Sequence, residues 1–247
     1  RYTDPSAFPA DVRGDPCPSH STSTDFNMNR KTLLLAILAL VLAVFAAGAW
    51  FVSRPDPTPV ATAAPLEQQD RLVRSYSPLL GREDAPVTIV EFFDPACEAC
   101  RAFHPIVKQI LAQYPDDVRV VMRYTPFHGE GSELAIKVLE AARLQDVFVP
   151  VLEALLENQP AWASHGAPAA ERIMEIAGAA GLDTDAAANQ IMSPSIVGVL
   201  NQDRADVEAV GIQGTPTFFV NGKPLPDFGA EQLLSLVQAE VEAVATN

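Results

Sequence analysis

Cys97 and Cys100 stand three positions apart, in the run Cys97-Glu98-Ala99-Cys100, in a 247-residue chain whose only other cysteine is Cys17. Two thiols at this spacing can close a disulfide, form one side of a zinc site, or exchange electrons with other thiols. Zinc normally takes four ligands, and there is no second C-x-x-C and no H-x-x-x-H to complete a set; His104, at C-x-x-C-x-x-x-H spacing, supplies a third at most. The neighbouring residues favour electron exchange. Ahead of Cys97 lies Val87-Thr-Ile-Val-Glu-Phe-Phe93, an apolar run of strand length, and after Cys100 the residues Phe103, Val107, Ile110 and Leu111 recur at helical spacing. Cys97 therefore falls at a helix N-terminus, where unpaired backbone N–H groups and the helix dipole favour an anion. A free thiol titrates near about 8.5, and a C-x-x-C so placed lowers that value by roughly one to five units. Cys97 is the expected nucleophile, and Cys100, one turn further in, is placed to resolve a mixed disulfide formed at Cys97. Such a pair needs no cofactor beyond its own redox-active disulfide, and no metal.

Holding those thiols requires a strand, a helix and a surface that faces them. The helix after Cys100 should end near Tyr114-Pro115, where proline disfavours continuation. Residues 118–124 (VRVVMRY) alternate and are β-branched enough for a second strand, which makes a βαβ unit with a parallel sheet and a right-handed crossover. From Ser132 to about Gly211 the pattern turns helical: Leu134, Val138, Leu139 and Ala142, then Val147, Val151, Leu152 and Leu155, then Ile173, Ile176 and Ala177, about four or five helices in all. Strand character returns at Pro216-Thr-Phe-Phe-Val220, Asn221-Gly222 is a hairpin turn, and residues 231–244 read as a closing amphipathic helix. The order β-α-β, helical block, β-β-α is that of an α/β domain.

Residues 33–52 (LLLAILALVLAVFAAGAWFV) carry no charge over about 20 positions, the length a helix needs to cross the hydrocarbon of a bilayer. Arg30 and Lys31 precede the run, which places the N-terminus in the cytoplasm and everything after Val52 outside it. Ala47-Gly-Ala49 resembles a signal-peptidase site, so a cleaved signal peptide is the alternative to a single-pass anchor, and both export the domain. The expected organisation is a leader over 1–27 that is disordered or foreign to the native product and includes Cys17, a transmembrane helix over 28–52, a linker over 53–75 and a globular domain over 76–247 with its helical insertion at about 131–210. The linker's prolines at 55, 57, 59 and 65 favour extended backbone over packing. Net charge is −14, from 31 acidic and 17 basic residues, which repels phosphate backbones and excludes nucleic acid as a partner. Gly129-Glu-Gly131 lacks the spacing of a nucleotide loop.

Ala85-Pro-Val-Thr-Ile-Val-Glu-Phe-Phe-Asp-Pro-Ala-Cys-Glu-Ala-Cys100 and Gly214-Thr-Pro-Thr-Phe-Phe-Val-Asn-Gly222 resemble the DsbA-like branch of the thioredoxin superfamily, over about residues 79–244. The resemblance implies a thioredoxin fold with a helical insertion between its halves, and a thiol–disulfide oxidoreductase acting on exported proteins. Thr215-Pro216 matches the family's cis-proline loop, which faces the cysteines and offers backbone groups to an extended substrate. Glu91, six residues before Cys97, matches the buried acid that exchanges the proton of Cys100 through water. Arg123 falls where the family carries a basic residue near that acid, so Glu91 serves either proton transfer or an ion pair with Arg123. Pro105 matches the proline that kinks the active-site helix, while Phe92, Phe93 and Phe103 are assigned to packing. The dipeptide between the cysteines departs from the family. Strongly oxidising members carry Pro-His, whereas Glu98-Ala99 removes a partner of the thiolate and adds a like charge, which leaves the direction of electron flow open. The implied partners are exported proteins with thiols or disulfides and a membrane redox protein for recycling, and the implied state is a monomer in the cytoplasmic membrane with its catalytic domain in the periplasm. A copper-handling protein using Cys97, Cys100 and His104 is the alternative from a different class, because soft thiolates select Cu(I).

Overall fold

The computed structural model of the chain describes residues 29–52, 70–163 and 169–246. The chain divides into two compact units, residues 1–58 and 59–247. In the first unit a helix α1, Arg30–Val52, spans 23 residues. Leucine and alanine, strong helix formers, make up most of it, and its large apolar side chains from Leu33 to Phe45 are exposed. The side chains from 46 onward lie outside the described residues, and among the described residues no helix is long and apolar enough to cross a membrane. The expected membrane span is thus not found here. The expected leader over 1–27, with Cys17, and most of the proline-rich linker also lie outside the described residues.

The second unit is built on a five-stranded sheet in the order β1-β3-β2-β4-β5, with β1 Leu79–Gly81, β2 Val87–Phe93, β3 Val118–Tyr124, β4 Thr217–Val220 and β5 Lys223–Pro224. β2 and β3 run parallel, in the register Val87↔Val118 to Phe93↔Tyr124, joined by α2, Glu98–Gln113. This is the βαβ unit expected from periodicity. β4 returns antiparallel to β2, and β5 closes a hairpin on β4. Between β3 and β4 the chain leaves the sheet for a helical insertion: α3 Glu130–Leu144, α4 Phe148–Glu157, α5 Gln159–Trp162, α6 Ala170–Ala179, α7 Thr184–Gln190 and α8 Pro194–Val210. A last helix, α9, Ala230–Ala245, packs back on β2 and β4. The strand β1 was legible only as turn residues. Gly81 there has φ +92°, and a Cβ would stand 2.9 Å from the Val118 carbonyl oxygen, so the position takes no other residue without strain.

Side chains alternate across a strand, so β2 serves two cores. Val87, Ile89 and Phe93 join Phe103, Val107 and Ile110 of α2 and the inner faces of the insertion in the larger cluster. Val90 and Phe92 face the other way, with Val121, Val207, Ile212, Phe219 and Leu72. Leu72 is 1% exposed and Arg74 forms two hydrogen bonds to Asp206, 2.8 and 2.7 Å, so packing begins earlier than the linker boundary expected at residue 75.

On that second face the Arg123 guanidinium is fully buried and fully engaged. It donates to Asp203 Oδ1 at 3.2 and 2.8 Å, to Asp206 Oδ2 at 2.7 Å, and to the carbonyls of Arg71 and Leu72. The two aspartates project from α8, so one cation ties the insertion and the segment before β1 to the sheet. A buried charge is tolerated only when paired and hydrogen-bonded in this way.

Candidate active site

Cys97 is the N-cap residue of α2, with extended backbone (φ −76°, ψ 123°), and its sulfur feels the first-turn backbone N–H groups of Ala99 and Cys100. The turn is held by its own backbone: Cys97 N–H donates to the Asp94 carbonyl at 3.0 Å, and Arg101 N–H donates to the Cys97 carbonyl at 3.1 Å. Pro105 lies inside the same helix. Cys97 is 6% exposed and Cys100 is completely buried, both as free thiols.

The peptide between Thr215 and Pro216 is cis, and Cys97 Sγ donates to the Thr215 carbonyl at 3.2 Å. Two segments 118 residues apart thereby meet at the sulfur. The strand register explains the meeting: β4 pairs with β2 from Phe92↔Thr217, so the residues just before β4 arrive beside the loop that leaves β2.

Electrostatics separate the two thiols. Cys97 is lowered to about 5, chiefly by the hydrogen bond from Cys100, with burial opposing and the backbone N–H groups of Cys100 and Ala99 adding to the effect. Burial pushes Cys100 far above the ordinary thiol value, and its bond to Cys97 and the nearby Glu91 charge push in the same direction. Cys100 Sγ also accepts from Asp94 N–H at 3.5 Å. Cys97 thus ionises readily while Cys100 resists ionisation.

Glu91 lies under this pair, 2% exposed, with its carboxyl raised to about 8, first by burial and then by the charge of Cys97. The ion pair weighed between Glu91 and Arg123 does not form. In the register Glu91 pairs with Met122 and Phe92 with Arg123, so the acid and the base project from opposite faces of the sheet. Phe103 packs on Phe218 and Phe228 at centroid distances of 5.6 and 4.6 Å, and Phe92 packs edge-on to Phe219 at 6.0 Å. His104 does not join the cysteines: its Nε2 is buried without a partner, and among the described residues no group of three His, Cys, Asp or Glu side chains is placed to hold a metal ion.

Two residues that hold the site were not singled out from sequence. Asp94 is fully buried and its carboxylate accepts from Ala96 N–H at 2.9 Å, Phe127 N–H at 2.8 Å, His128 N–H at 3.1 Å, the His128 ring at 2.7 Å and the Ser132 hydroxyl. It fastens the cysteine loop to the loop after β3 and to the start of α3. An Asp-Pro pair directly after a strand is a turn signal that would have marked it. Gln159, 2% exposed, donates through Nε2 to the carbonyls of Pro95 at 2.8 Å and Cys97 at 2.9 Å. Nothing in the sequence distinguishes this glutamine from its neighbours.

Comparison with known proteins agrees with this geometry. A family model described as Thioredoxin matches residues 74–239. Disulfide bond formation protein D of Bacillus subtilis is 34% identical over 165 residues, covering 61% of this chain and 70% of that protein. The Na(+)/H(+) antiporter NhaA of Herminiimonas arsenicoxydans is 30% identical over 167 residues, 67% of this chain but only 26% of the antiporter, so the chain spans about a quarter of that relative's length. Among solved structures, a thioredoxin-like oxidoreductase from Silicibacter pomeroyi DSS-3 superposes with a TM-score of 0.62 at 29% identity, covering 74% of this chain and 99% of that one.

Proposed function

The chain belongs to the thioredoxin family, in its DsbA-like branch, and from that premise we propose that it is an extracytoplasmic thiol–disulfide oxidoreductase working through Cys97 and Cys100. The observation that carries the reading is the inequality of the two sulfurs beside the Thr215-Pro216 loop: Cys97, which alone of the two reaches the surface, has its thiol lowered to about 5, while Cys100 is completely buried and pushed far above the ordinary thiol value.

In the oxidised protein a substrate thiolate attacks Cys97 Sγ, the Cys97–Cys100 bond breaks, and the electron pair goes to Cys100. Cys100 is unstable as an anion in its buried position and takes up a proton, which Glu91 supplies through water at neutral pH because its raised value keeps it partly protonated. A second substrate thiolate then attacks the substrate sulfur of the mixed disulfide. Cys97 leaves as a thiolate, the substrate keeps a disulfide, and two electrons remain on the Cys97–Cys100 pair. A leaving group with a low proton affinity departs faster, and stabilising the reduced form makes the couple more oxidising. The Cys97 environment therefore supports net disulfide donation, even with Glu98-Ala99 between the cysteines. An extended substrate lies along the Thr215 backbone, in the manner of an added strand.

The location is proposed from the sequence: the uncharged run over 33–52, preceded by Arg30 and Lys31, exports the domain as an anchor or as a cleaved signal, so that exported proteins are its substrates and a membrane redox protein reoxidises it at the outer side of the cytoplasmic membrane. The test is the reduction potential of the full chain in detergent, read against glutathione and paired with an insulin-reduction assay. A potential well above about −270 mV, the value of a thioredoxin reductant, with little insulin reduction is the expected result. A potential at or below that value overturns disulfide donation, and catalysis that survives Cys97→Ser overturns the redox reading altogether.

A further inference from the structure

Among the buried polar side chains of the insertion, Gln159 is bound to the backbone of the cysteine loop itself. Gln159 begins α5 and spends Nε2 on two carbonyls, those of Pro95 and Cys97, which lie on either side of the peptide leading into the nucleophile. The Cys97 carbonyl thus accepts twice, once from Arg101 N–H of its own helix and once from an element 62 residues away. The element that carries the donor is anchored in turn. Pro160 follows the glutamine, and Trp162, fully buried three residues after Gln159, donates from Nε1 to the Leu155 carbonyl at 2.8 Å.

A helix N-terminus stabilises an anion only while the anion stays over the first-turn N–H groups, since the effect falls off within that turn. The position of Cys97 Sγ depends on the backbone torsions between Ala96 and Glu98, and the two carbonyls held by Gln159 bracket them. We propose that Gln159 is the positioning residue through which the helical insertion sets the reactivity of Cys97, by pinning the backbone that keeps its sulfur over the start of α2. The insertion is then part of the redox device as well as a cover for the sheet. This inference rests on the reading of Cys97 as the nucleophile.

The experiment compares the full reduced chain in detergent with Gln159→Met, which keeps the length of the side chain and removes its donors, and Gln159→Glu, which keeps its shape and places acceptor oxygens against the two carbonyls. Thiolate absorbance near 240 nm is followed against pH, with Trp fluorescence and circular dichroism as checks on folding. The expected result is a rise of about one unit in the Cys97 midpoint for Gln159→Met, which is a tenfold weaker preference for the thiolate, and at least as much for Gln159→Glu. Alkylation of Cys97 by iodoacetamide at pH 5 slows in parallel. A folded variant whose midpoint stays within about 0.3 unit of the parent overturns the proposal, because a purely structural glutamine lowers melting temperature without moving that midpoint. Should neither variant fold, the parent protein decides: the side-chain amide signals of Gln159 in a nitrogen-15 spectrum must shift with the midpoint of Cys97, and their indifference to that titration overturns the proposal equally. A parent with no thiolate below neutral pH would instead defeat the reading of Cys97 itself, an outcome distinct from unresponsive variants of a parent that has one.

Discussion

Glu91 and Arg123 sit one residue out of step on paired strands and so project from opposite faces of the sheet, Glu91 toward the cysteines and Arg123 into a buried cage of Asp203 and Asp206. Acid and base are separated by the sheet itself, and each face carries its own charge problem with its own solution.

Removing the Arg123 charge should therefore unfold the protein more readily without altering the thiols. Arg123→Met leaves Asp203 and Asp206 short of their shared cation, at a cost of about 3–5 kcal/mol. Denaturant titration reads the loss, and the Cys97 titration of whatever remains folded should match the parent.

Glu91 makes stability depend on pH in a direction opposite to most carboxylates. Its folded value of about 8 lies above the ordinary value of 4.5, so the folded state holds a proton that the unfolded chain has released. Stability is full at pH below about 4.5 and declines as pH rises toward about 8. Burial, the larger cause, persists when the cysteines are oxidised, so the oxidised protein in chemical denaturation should weaken over that window, and Glu91→Gln should flatten the decline. The same variant should slow reduction of the Cys97–Cys100 bond near neutral pH by roughly a hundredfold, the lower end for losing a positioned acid.

Cys97 acts with the opposite sign in the reduced protein. Its folded value of about 5 lies well below that of an ordinary thiol, so ionisation of Cys97 adds stability that grows as pH rises from about 5 and is lost as pH falls through it. Thiolate absorbance of the reduced protein should rise with a midpoint near 5, vanish in Cys97→Ser, and show no second step from Cys100 below pH 9. A single midpoint near the ordinary thiol value would contradict the geometry around the helix start.

Asp94 should be the most costly of the loop residues to remove. Its carboxylate serves three backbone N–H groups, one ring and one hydroxyl, all of which Asp94→Ala would strand at once. A loss of about 2–4 kcal/mol is expected in unfolding experiments, with Asp94→Asn intermediate because one oxygen still accepts.

Much of the candidate site was legible in spacing. The interval between Cys97 and Cys100, the strand before them and the apolar repeat after them are local patterns, and local patterns follow from bond geometry: a helix repeats every 3.6 residues and a strand every two, whatever surrounds them. The helical block was legible for the same reason. The short strand β1 was not, because three residues leave no period to read.

What the sequence by itself determined is the pair of thiols, their placement at the start of a helix, and the α/β order of the elements around them, all consequences of short-range periodicity and of the anion-favouring first turn. Only the tertiary structure decided which groups meet. Whether Glu91 faces Arg123 turns on the register between two strands, where a slip of one residue exchanges every side chain between faces. Whether a glutamine 62 positions beyond Cys97 holds its carbonyl turns on how the insertion docks, a sum of many weak contacts across the core that no single stretch of chain contains.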